Sequence, residues 1–240
     1  MEIPNRTDYD AAFARKLARL NNRHRCELIA YLGHPPNVAN VPAEFWERVR
    51  QENEAEIAAA LLLLFGESFS FHAEAAGADR ARLSAAGIDA AERYATEKSR
   101  EVATAMAAGA RERIERLAHE KWNTARAAAD EALTKAEIAA DIAKTWGPTG
   151  AAATAVTETT AAQTAGGEAA INRTVGISDD DAWRIHPELS ATGTCPTCRP
   201  LDGRPRRIWS VEFPAGPPAH RNCNCEIIYA GIGVAASLTK

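Results

Sequence analysis

CPTCRPLDG at residues 195–203 and PPAHRNCNC at residues 217–225 together contain four of the five cysteines of this 240-residue chain. The first stretch includes the CxxC pair Cys195 and Cys198, and the second includes an HxxCxC set. Two ligands separated by two residues can bind one metal ion, because the tight turn between them directs both donor atoms inward. Two such turns complete a tetrahedral site, so the two stretches predict one compact unit.

The candidate ligands outnumber the four positions of a tetrahedral site; they are Cys195, Cys198, His220, Cys223 and Cys225. If a strand begins at Cys223, its two-residue period places Cys225 on the same side, so either cysteine could complete the site. Thiolate and imidazole donors at this spacing favour zinc. A filled tetrahedron would be structural, since catalytic zinc keeps one position for water. The alternative is a set of free thiols held by packing alone.

Cysteine usage and composition limit the classes of protein to consider. The N-terminal MEIPNRTDYD lacks the apolar segment of a secretory signal, and an odd number of cysteines argues against a disulfide framework. A hydrophobic fraction of 46% supports a buried core, and a net charge of -4 gives no overall preference for DNA or anionic membranes. The longest apolar run, IAAALLLLF at residues 57–65, is far shorter than the roughly 20 residues of a membrane span. We therefore expect a buried helix there and no membrane partner.

The sequence before the cysteine stretches predicts helices. Apolar residues at helical spacing indicate a first helix over residues 7–32, with Thr7 as its N-cap and Gly33 at its end. A second helix is expected over residues 42–65, and the alanine-rich residues 79–146 predict one long helix or several. Their narrow apolar stripes favour an intramolecular bundle over an arm that packs on a partner.

Two glycines, Gly87 and Gly109, are candidate breaks in the long helical stretch, although an alanine-rich helix tolerates a glycine at about 1 kcal/mol. The clearest break in the chain is GPTGAAA at residues 147–153. It predicts a division into a helical N-terminal region, residues 1–146, and a different module, residues 147–240.

The C-terminal module is expected to combine helix and strand. A short helix is predicted over residues 157–171, and β-prone runs at residues 183–185, 207–211 and 226–230 predict two or three short strands. The fold class is therefore a mainly α N-terminal region followed by a small α+β module that carries a Cys/His-rich, zinc-stapled β-hairpin.

Arginines collect around the cysteine stretches; they are Arg199, Arg204, Arg206, Arg207 and Arg221. A local basic surface on an acidic protein could contact DNA or an acidic partner protein. Solvated arginines on a loop-rich surface are the equally weighted alternative.

Three other residues near these stretches are assigned structural roles. Glu158 is expected to anchor its helix against the loops, although a catalytic carboxylate is the alternative. Asp202 and Gly203 predict a turn, with an Asp side-chain hydrogen bond and a positive φ at Gly. The remaining thiol and the scattered histidines lack ligand spacing and are also expected to be structural; they are Cys26, His24, His34, His72, His119 and His186.

A fixed order of motifs runs through the last third of the chain. In order they are Thr157 and Glu158, then Ala162 and Gly166, Trp183, CPTCRPLDG, Phe213 and GPPAHRNCNC. This order resembles the phage head morphogenesis family, the minor head proteins similar to phage Mu protein F. The resemblance covers roughly residues 100–230 and is strongest from residue 157 onward.

The resemblance implies a low-copy virion protein that associates with the portal vertex and acts in head assembly, DNA packaging or DNA ejection. Its expected partners are the portal protein, other head proteins and packaged double-stranded DNA. Its expected location is the head interior, after synthesis in the bacterial host cytoplasm. The role is structural rather than catalytic. The alternatives are a zinc-stapled DNA-binding module and an enzyme, either a metal-dependent nuclease or a zinc hydrolase.

Overall fold

The computed structural model describes residues 3–78, 80–122, 134–186 and 195–232. Residues 79 and 123–133 of the predicted helical stretch lie outside the described residues. Helices dominate the described chain, and a two-stranded antiparallel sheet lies near its C-terminal end. This confirms the predicted fold class.

The α-helices are α1 (Arg6–Leu32), α2 (Ala43–Ala75), α3 (Arg80–Leu117), α4 (Lys135–Thr145), α5 (Pro148–Thr174) and α6 (Arg206–Trp209). The strands are β1 (Ala182–Arg184) and β2 (Glu226–Ile228). Short 3-10 turns cover Val38–Asn40 and Arg199–Leu201, and a π-helical turn at Ala118–Trp122 follows α3. The predicted break at Gly147 is a helix boundary, since α4 ends and α5 begins on either side of it.

The ends of the helices correct several predictions. Thr7 is not an N-cap, because Asn5 adopts a φ of 59° and its carbonyl accepts the first amides, so α1 starts one residue earlier. Helix α2 continues past residue 65 because Phe69 and Ala73 extend its buried stripe at four-residue spacing. The helix expected over residues 157–171 is longer at both ends, with Pro148 in its first turn.

Neither candidate glycine break interrupts α3. Gly109 lies within the helix, and Gly87 lies where a Cβ would be 2.7 Å from the ring of Phe69. Glycine at position 87 therefore permits a close approach of α3 to α2 rather than ending a helix.

Helix α2 is the one helix in the described part of the chain with the length and composition of a membrane span. Core helices of globular proteins satisfy the same test. The side chains of Ile57, Leu61 and Leu64 are buried inside the protein, as expected for the apolar run.

The described residues form two compact units. One, called here the Cys/His unit, is drawn from Met1–Phe13, Ala59–Thr96 and Ala153–Lys240, and the other, the helical unit, from Ala14–Ala58 and Glu97–Ala152. Helices α1, α2, α3 and α5 contribute residues to both units. The predicted division of the sequence into residues 1–146 and residues 147–240 stays a prediction.

One continuous core fills the helical unit, with members from α1, α2, α3 and α4. They are Leu28, Leu32, Phe45, Trp46, Val49, Ala107, Ala110, Ile114, Ala118, Trp122, Ile138, Ile142 and Trp146. His24 is buried beside this core, stacks on Trp146 with 5.7 Å between ring centroids, and hydrogen-bonds Glu52 at 2.6 Å. Burial lowers the pKa of His24, with Glu52 opposing the shift. The helices thus pack on one another within this unit, and His24 belongs to that packing.

The sheet of the Cys/His unit pairs β1 with β2 antiparallel, with Trp183 opposite Ile227. The connection between the two strands is long and carries the cysteine stretches, so the strand pair closes around them. The strand predicted over residues 207–211 was wrong: this segment forms α6 and the turn after it. In a strand Trp209 and Val211 would share a face, but Trp209 is fully buried and Val211 is 84% exposed. The Trp209 indole donates to the Asp181 carbonyl at 3.1 Å, a contact that outweighs local β-propensity.

Two helix-interior glycines of the Cys/His unit make a matched pair for stability. A Cβ at Gly166 of α5 would lie 2.5 Å from the Phe65 carbonyl oxygen, whereas a Cβ at Gly66 of α2 meets nothing within 4 Å. Gly166→Ala is expected to destabilise the protein by about 1–3 kcal/mol through overpacking. Gly66→Ala is expected to stabilise it by up to about 1 kcal/mol through helix propensity. Thermal unfolding of both variants checks this, and equal shifts of the two midpoints would contradict it.

Candidate metal centre

The five predicted ligand residues lie together as two groups that share one member. In the first group the ligand atoms of Cys195, Cys198 and His220 are all within 4.8 Å of one another. In the second group the same holds for Cys198, Cys223 and Cys225. Because Cys198 belongs to both groups, the five side chains make one continuous cluster that can hold a metal ion.

The spacing of two sulfurs in the cluster fits a tetrahedral ion, and the imidazole is closer still. The Cys198 and Cys223 sulfurs are 3.8 Å apart, and the Cys198 sulfur is 3.1 Å from His220 Nε2. Two sulfurs bound at about 2.3 Å to one tetrahedral ion stand about 3.8 Å apart. Cys198 and Cys223 are buried, so an ion between them would be shielded from water on that side.

The CxxC turn is held by its own backbone. The amides of Cys198 and Arg199 donate to the Cys195 carbonyl at 3.2 and 3.0 Å, and the Thr197 amide points at the Cys195 sulfur at 3.3 Å. Burial raises the pKa of Cys195, but hydrogen bonds from the backbone of Cys198 and Thr197 outweigh it, so the pKa is lowered overall. The turn therefore favours the thiolate form of Cys195, which is the form that binds metals.

The predicted turn after the CxxC pair is also present. Asp202 Oδ1 accepts a hydrogen bond from the Ile185 amide at 3.0 Å, and Gly203 has a φ of 70°. The Gly203 amide donates to the Trp183 carbonyl at 2.8 Å. Asp202 and Gly203 thus attach the first cysteine stretch to β1 and the residue that follows it. The positive φ of Gly203 is as predicted, whereas Asp202 bonds the distant Ile185 amide rather than an amide of its own turn.

His220 is oriented by its neighbour in the chain. Its Nδ1 donates to the Arg221 carbonyl at 2.8 Å, which leaves Nε2 with a lone pair directed towards Cys198. Metal-binding histidines commonly have this arrangement, in which a hydrogen bond at one ring nitrogen fixes the tautomer that ligates through the other. His220 is therefore prepared to bind through Nε2.

Helix α5 anchors the second cysteine stretch through two threonines. Thr157 Oγ1 accepts a hydrogen bond from the Asn222 amide at 2.8 Å, and Asn222 itself has a φ of 63°. Thr160 Oγ1 donates to the Cys223 carbonyl at 2.5 Å and accepts from the buried guanidinium of Arg6. Sequence reasoning selected Thr157 but missed Thr160 and Arg6. The signal available for Thr160 was its spacing of three residues from Thr157, which puts both hydroxyls on one helix face.

The buried thiols of the cluster differ in the direction in which their pKa is shifted. Hydrogen bonds from the Cys198 and Cys225 thiols lower the pKa of Cys223 to about 2, and these bonds correspondingly raise the pKa of Cys198. Within this group the hydrogen bonds therefore favour loss of the proton from Cys223. Because the thiolate is the metal-binding form of cysteine, this direction favours Cys223 as a ligand.

Two other residues of the predicted motif lie at the base of the cluster. Trp183 is fully buried and packs in the same core as Cys198, Cys223 and Cys225, with its ring 5.7 Å from that of Trp209. Glu158 is buried on α5, between the two threonines that hold the loop. Trp183 thus forms part of the wall of the cluster, whereas the anchoring role predicted for Glu158 stays a prediction.

Not all of the arginines predicted to form a basic surface are exposed. Arg206 is mostly buried, hydrogen-bonds Glu168 and lies 4.6 Å above the ring of Trp209, so it holds α6 in place. Arg207 is exposed and pairs with Asp180. The other members of the predicted set are exposed; they are Arg199, Arg204 and Arg221.

The geometry defines a class of site: a Cys/His cluster that can hold one metal ion. Comparisons of the chain with protein-family models, with curated proteins and with solved structures gave no match. The function of the cluster must therefore be argued from its own donors and contacts.

Replacing the shared ligand tests whether metal closes the cluster. Cys198→Ser is expected to abolish binding of one zinc ion per chain and to unfold the Cys/His unit, because metal-binding energy is then folding energy. Cys26→Ser, at the exposed thiol of α1, is the control and is expected to change neither property. Elemental analysis and thermal unfolding, with and without chelator, provide the readouts. Identical behaviour of the two variants would refute a structural metal.

The hydroxyl of Thr160 tests the support that α5 gives to the ligands. Thr160→Val removes the bond to the Cys223 carbonyl and is expected to weaken zinc affinity by about 10–100-fold. Thr174→Val, which removes only a hydroxyl bonded to carbonyls of its own helix, is the control. Competition with a chromophoric chelator measures both affinities. Equal affinities of wild type and Thr160→Val would show that the loop holds its shape without α5.

Proposed function

We propose that this chain is a structural minor head protein of a phage, acting at the portal vertex in head assembly, DNA packaging or DNA ejection. One observation carries the proposal. The motifs that resemble the head morphogenesis family, far apart in sequence, converge on one cluster. The CxxC turn and the HxxCxC loop contribute Cys198 and Cys223 to it, and Thr157 of the threonine helix accepts a hydrogen bond from the Asn222 amide of that loop. The residues that carry the resemblance therefore lie together in the structure and contact one another.

The metal in this proposal is zinc. Cys195, Cys198, His220 and Cys223 would hold it, and Cys225 would pack beside them. Cys223 is preferred over Cys225 because its sulfur lies 3.8 Å from that of Cys198, the spacing of two sulfurs on one tetrahedral ion. Zinc bound by four protein ligands cross-links chain segments and has no position for a reacting water. This favours a structural role over the hydrolase and nuclease alternatives.

A stapled module suits a protein that must hold its shape among larger partners. Small α+β modules bury little apolar surface, so a metal staple supplies stability that their core cannot. In the proposed function the partners are the portal protein and other head proteins, inside the head. The charge of the chain, -4 overall, is compatible with docking on protein and gives no general attraction to DNA.

Contact with packaged DNA is a second candidate role, favoured by one observation. Arg199, Arg204 and Arg221 are exposed on the two stretches that carry the ligands. A metal staple would hold these arginines in a fixed arrangement on the surface. Phosphate contacts of this kind give binding that falls steeply as salt rises, whereas docking on the portal depends less on salt.

Particle composition tests the proposed function directly. In particles produced by the phage or prophage that encodes the chain, the protein is expected at a few copies per head, protected from protease until the heads are opened. Particles made without the chain are expected to have reduced DNA content or infectivity. Complementation with Cys26→Ser should restore them and complementation with Cys198→Ser should not. Absence of the chain from purified particles, together with normal infectivity without it, would refute the proposal.

A further inference from the structure

A groove of about 370 Å³ lies between α2 and α3 within the Cys/His unit. Its lining is mostly apolar, with carboxylates at its edge; the lining residues include Leu62, Phe69, Ala73, Ile88, Ala91, Glu74 and Glu92. None of these residues takes part in the metal cluster. The groove is therefore a separate surface feature that the proposed function does not use.

Two glycines shape this groove, and only one has a packing reason to be glycine. At Gly87 a Cβ would press on the ring of Phe69, so glycine allows α2 and α3 to approach. At Gly66 a Cβ would meet nothing within 4 Å, so alanine would fit in the chain itself. Glycine inside a helix costs about 1 kcal/mol relative to alanine. Gly66 therefore leaves open space in the groove that a side chain of a bound helix could fill.

Large apolar side chains are exposed along the groove. Leu62 is 42% exposed and Ile88 is 59% exposed, one on each helix. Contiguous exposed apolar side chains with a polar rim mark sites of association. A groove between two helices accepts a third helix, whose ridge of side chains at i, i+3, i+4 and i+7 fills the groove.

The rim of the groove specifies the charge of the partner. Glu74 and Glu92 are exposed at its edge, and neither carboxylate has an ion-pair partner among the residues that the structure describes. A second copy of this chain docked through the same face would bring carboxylates against carboxylates, which is unfavourable. Basic side chains that flank an apolar ridge would pair with them.

We propose that the groove between α2 and α3 binds an amphipathic helix of another protein, with its apolar ridge over Gly66 and its Lys or Arg flanks beside Glu74 and Glu92. The apolar ridge supplies the buried area. The basic flanks supply the preference for this partner over acidic helices and over a second copy of the chain. The binding face is independent of the metal cluster.

Synthetic helices test the proposal on the full-length chain. The probes are three fluorescein-labelled peptides of about five helical turns. One has a leucine stripe flanked by lysines, its twin has glutamates in place of the lysines, and the third has the first composition with its leucines scattered. Fluorescence anisotropy is expected to give at least about tenfold tighter binding of the lysine-flanked stripe than of either other peptide. Equal binding of all three would overturn the proposal.

Three variants locate the binding face. Gly66→Leu fills the groove and is expected to weaken binding of the lysine-flanked peptide by about tenfold or more without lowering the thermal midpoint. Glu74→Lys combined with Glu92→Lys is expected to reverse the preference in favour of the glutamate-flanked twin. Val211→Ala, at an exposed apolar residue outside the groove, is the control and is expected to leave binding unchanged. Unaltered binding by folded Gly66→Leu, or self-association of the chain that Gly66→Leu abolishes, would overturn the proposal.

Discussion

Cys198 is the side chain on which the small C-terminal fold depends, because it is the one member common to both groups of ligand atoms. Its sulfur lies close to the imidazole of His220 and to the sulfur of Cys223. The strand pair is short, three residues on each side, and α6 has only four residues. Elements of this length contribute little stability by themselves. The long connection between the strands is therefore ordered by its side chains, and the ligands are the centre of that order.

The sequence predicted the chemistry of the cluster better than its supports. Ligand spacing is a local property of the sequence, so the CxxC and HxxCxC motifs were sufficient to predict that five donor side chains lie together. Thr160 and Arg6 were not predicted, because their bonds join residues 63 and 154 positions apart and leave no local pattern. The exposed arginines could not be told from Arg206, whose burial depends on Trp209 and Glu168.

The fold class was predictable from composition and from the helical spacing of apolar residues. The boundaries of the helices and the state of residues 207–211 were not. Alanine-rich, charged segments have strong helix propensity, and the structure agrees with it. Residues 207–211 include residue types that favour strands, but burial of Trp209 and its hydrogen bond to the Asp181 carbonyl favour a helical turn. Tertiary contacts decide the state of such short segments. Helix ends were misplaced where they depended on the φ of Asn5 or on apolar stripes that continued past a glycine.

The contact between Arg6 and Thr160 has a consequence for the order in which the chain folds. Arg6 leaves the ribosome 154 residues before its hydrogen-bond partner. Contacts of such long sequence separation form slowly, since the entropy of closing the loop is lost before any bond compensates it. Until Thr160 has been synthesised, the first turn of α1 cannot make this contact. The Cys/His unit is therefore completed only after the helices between these two residues have been made.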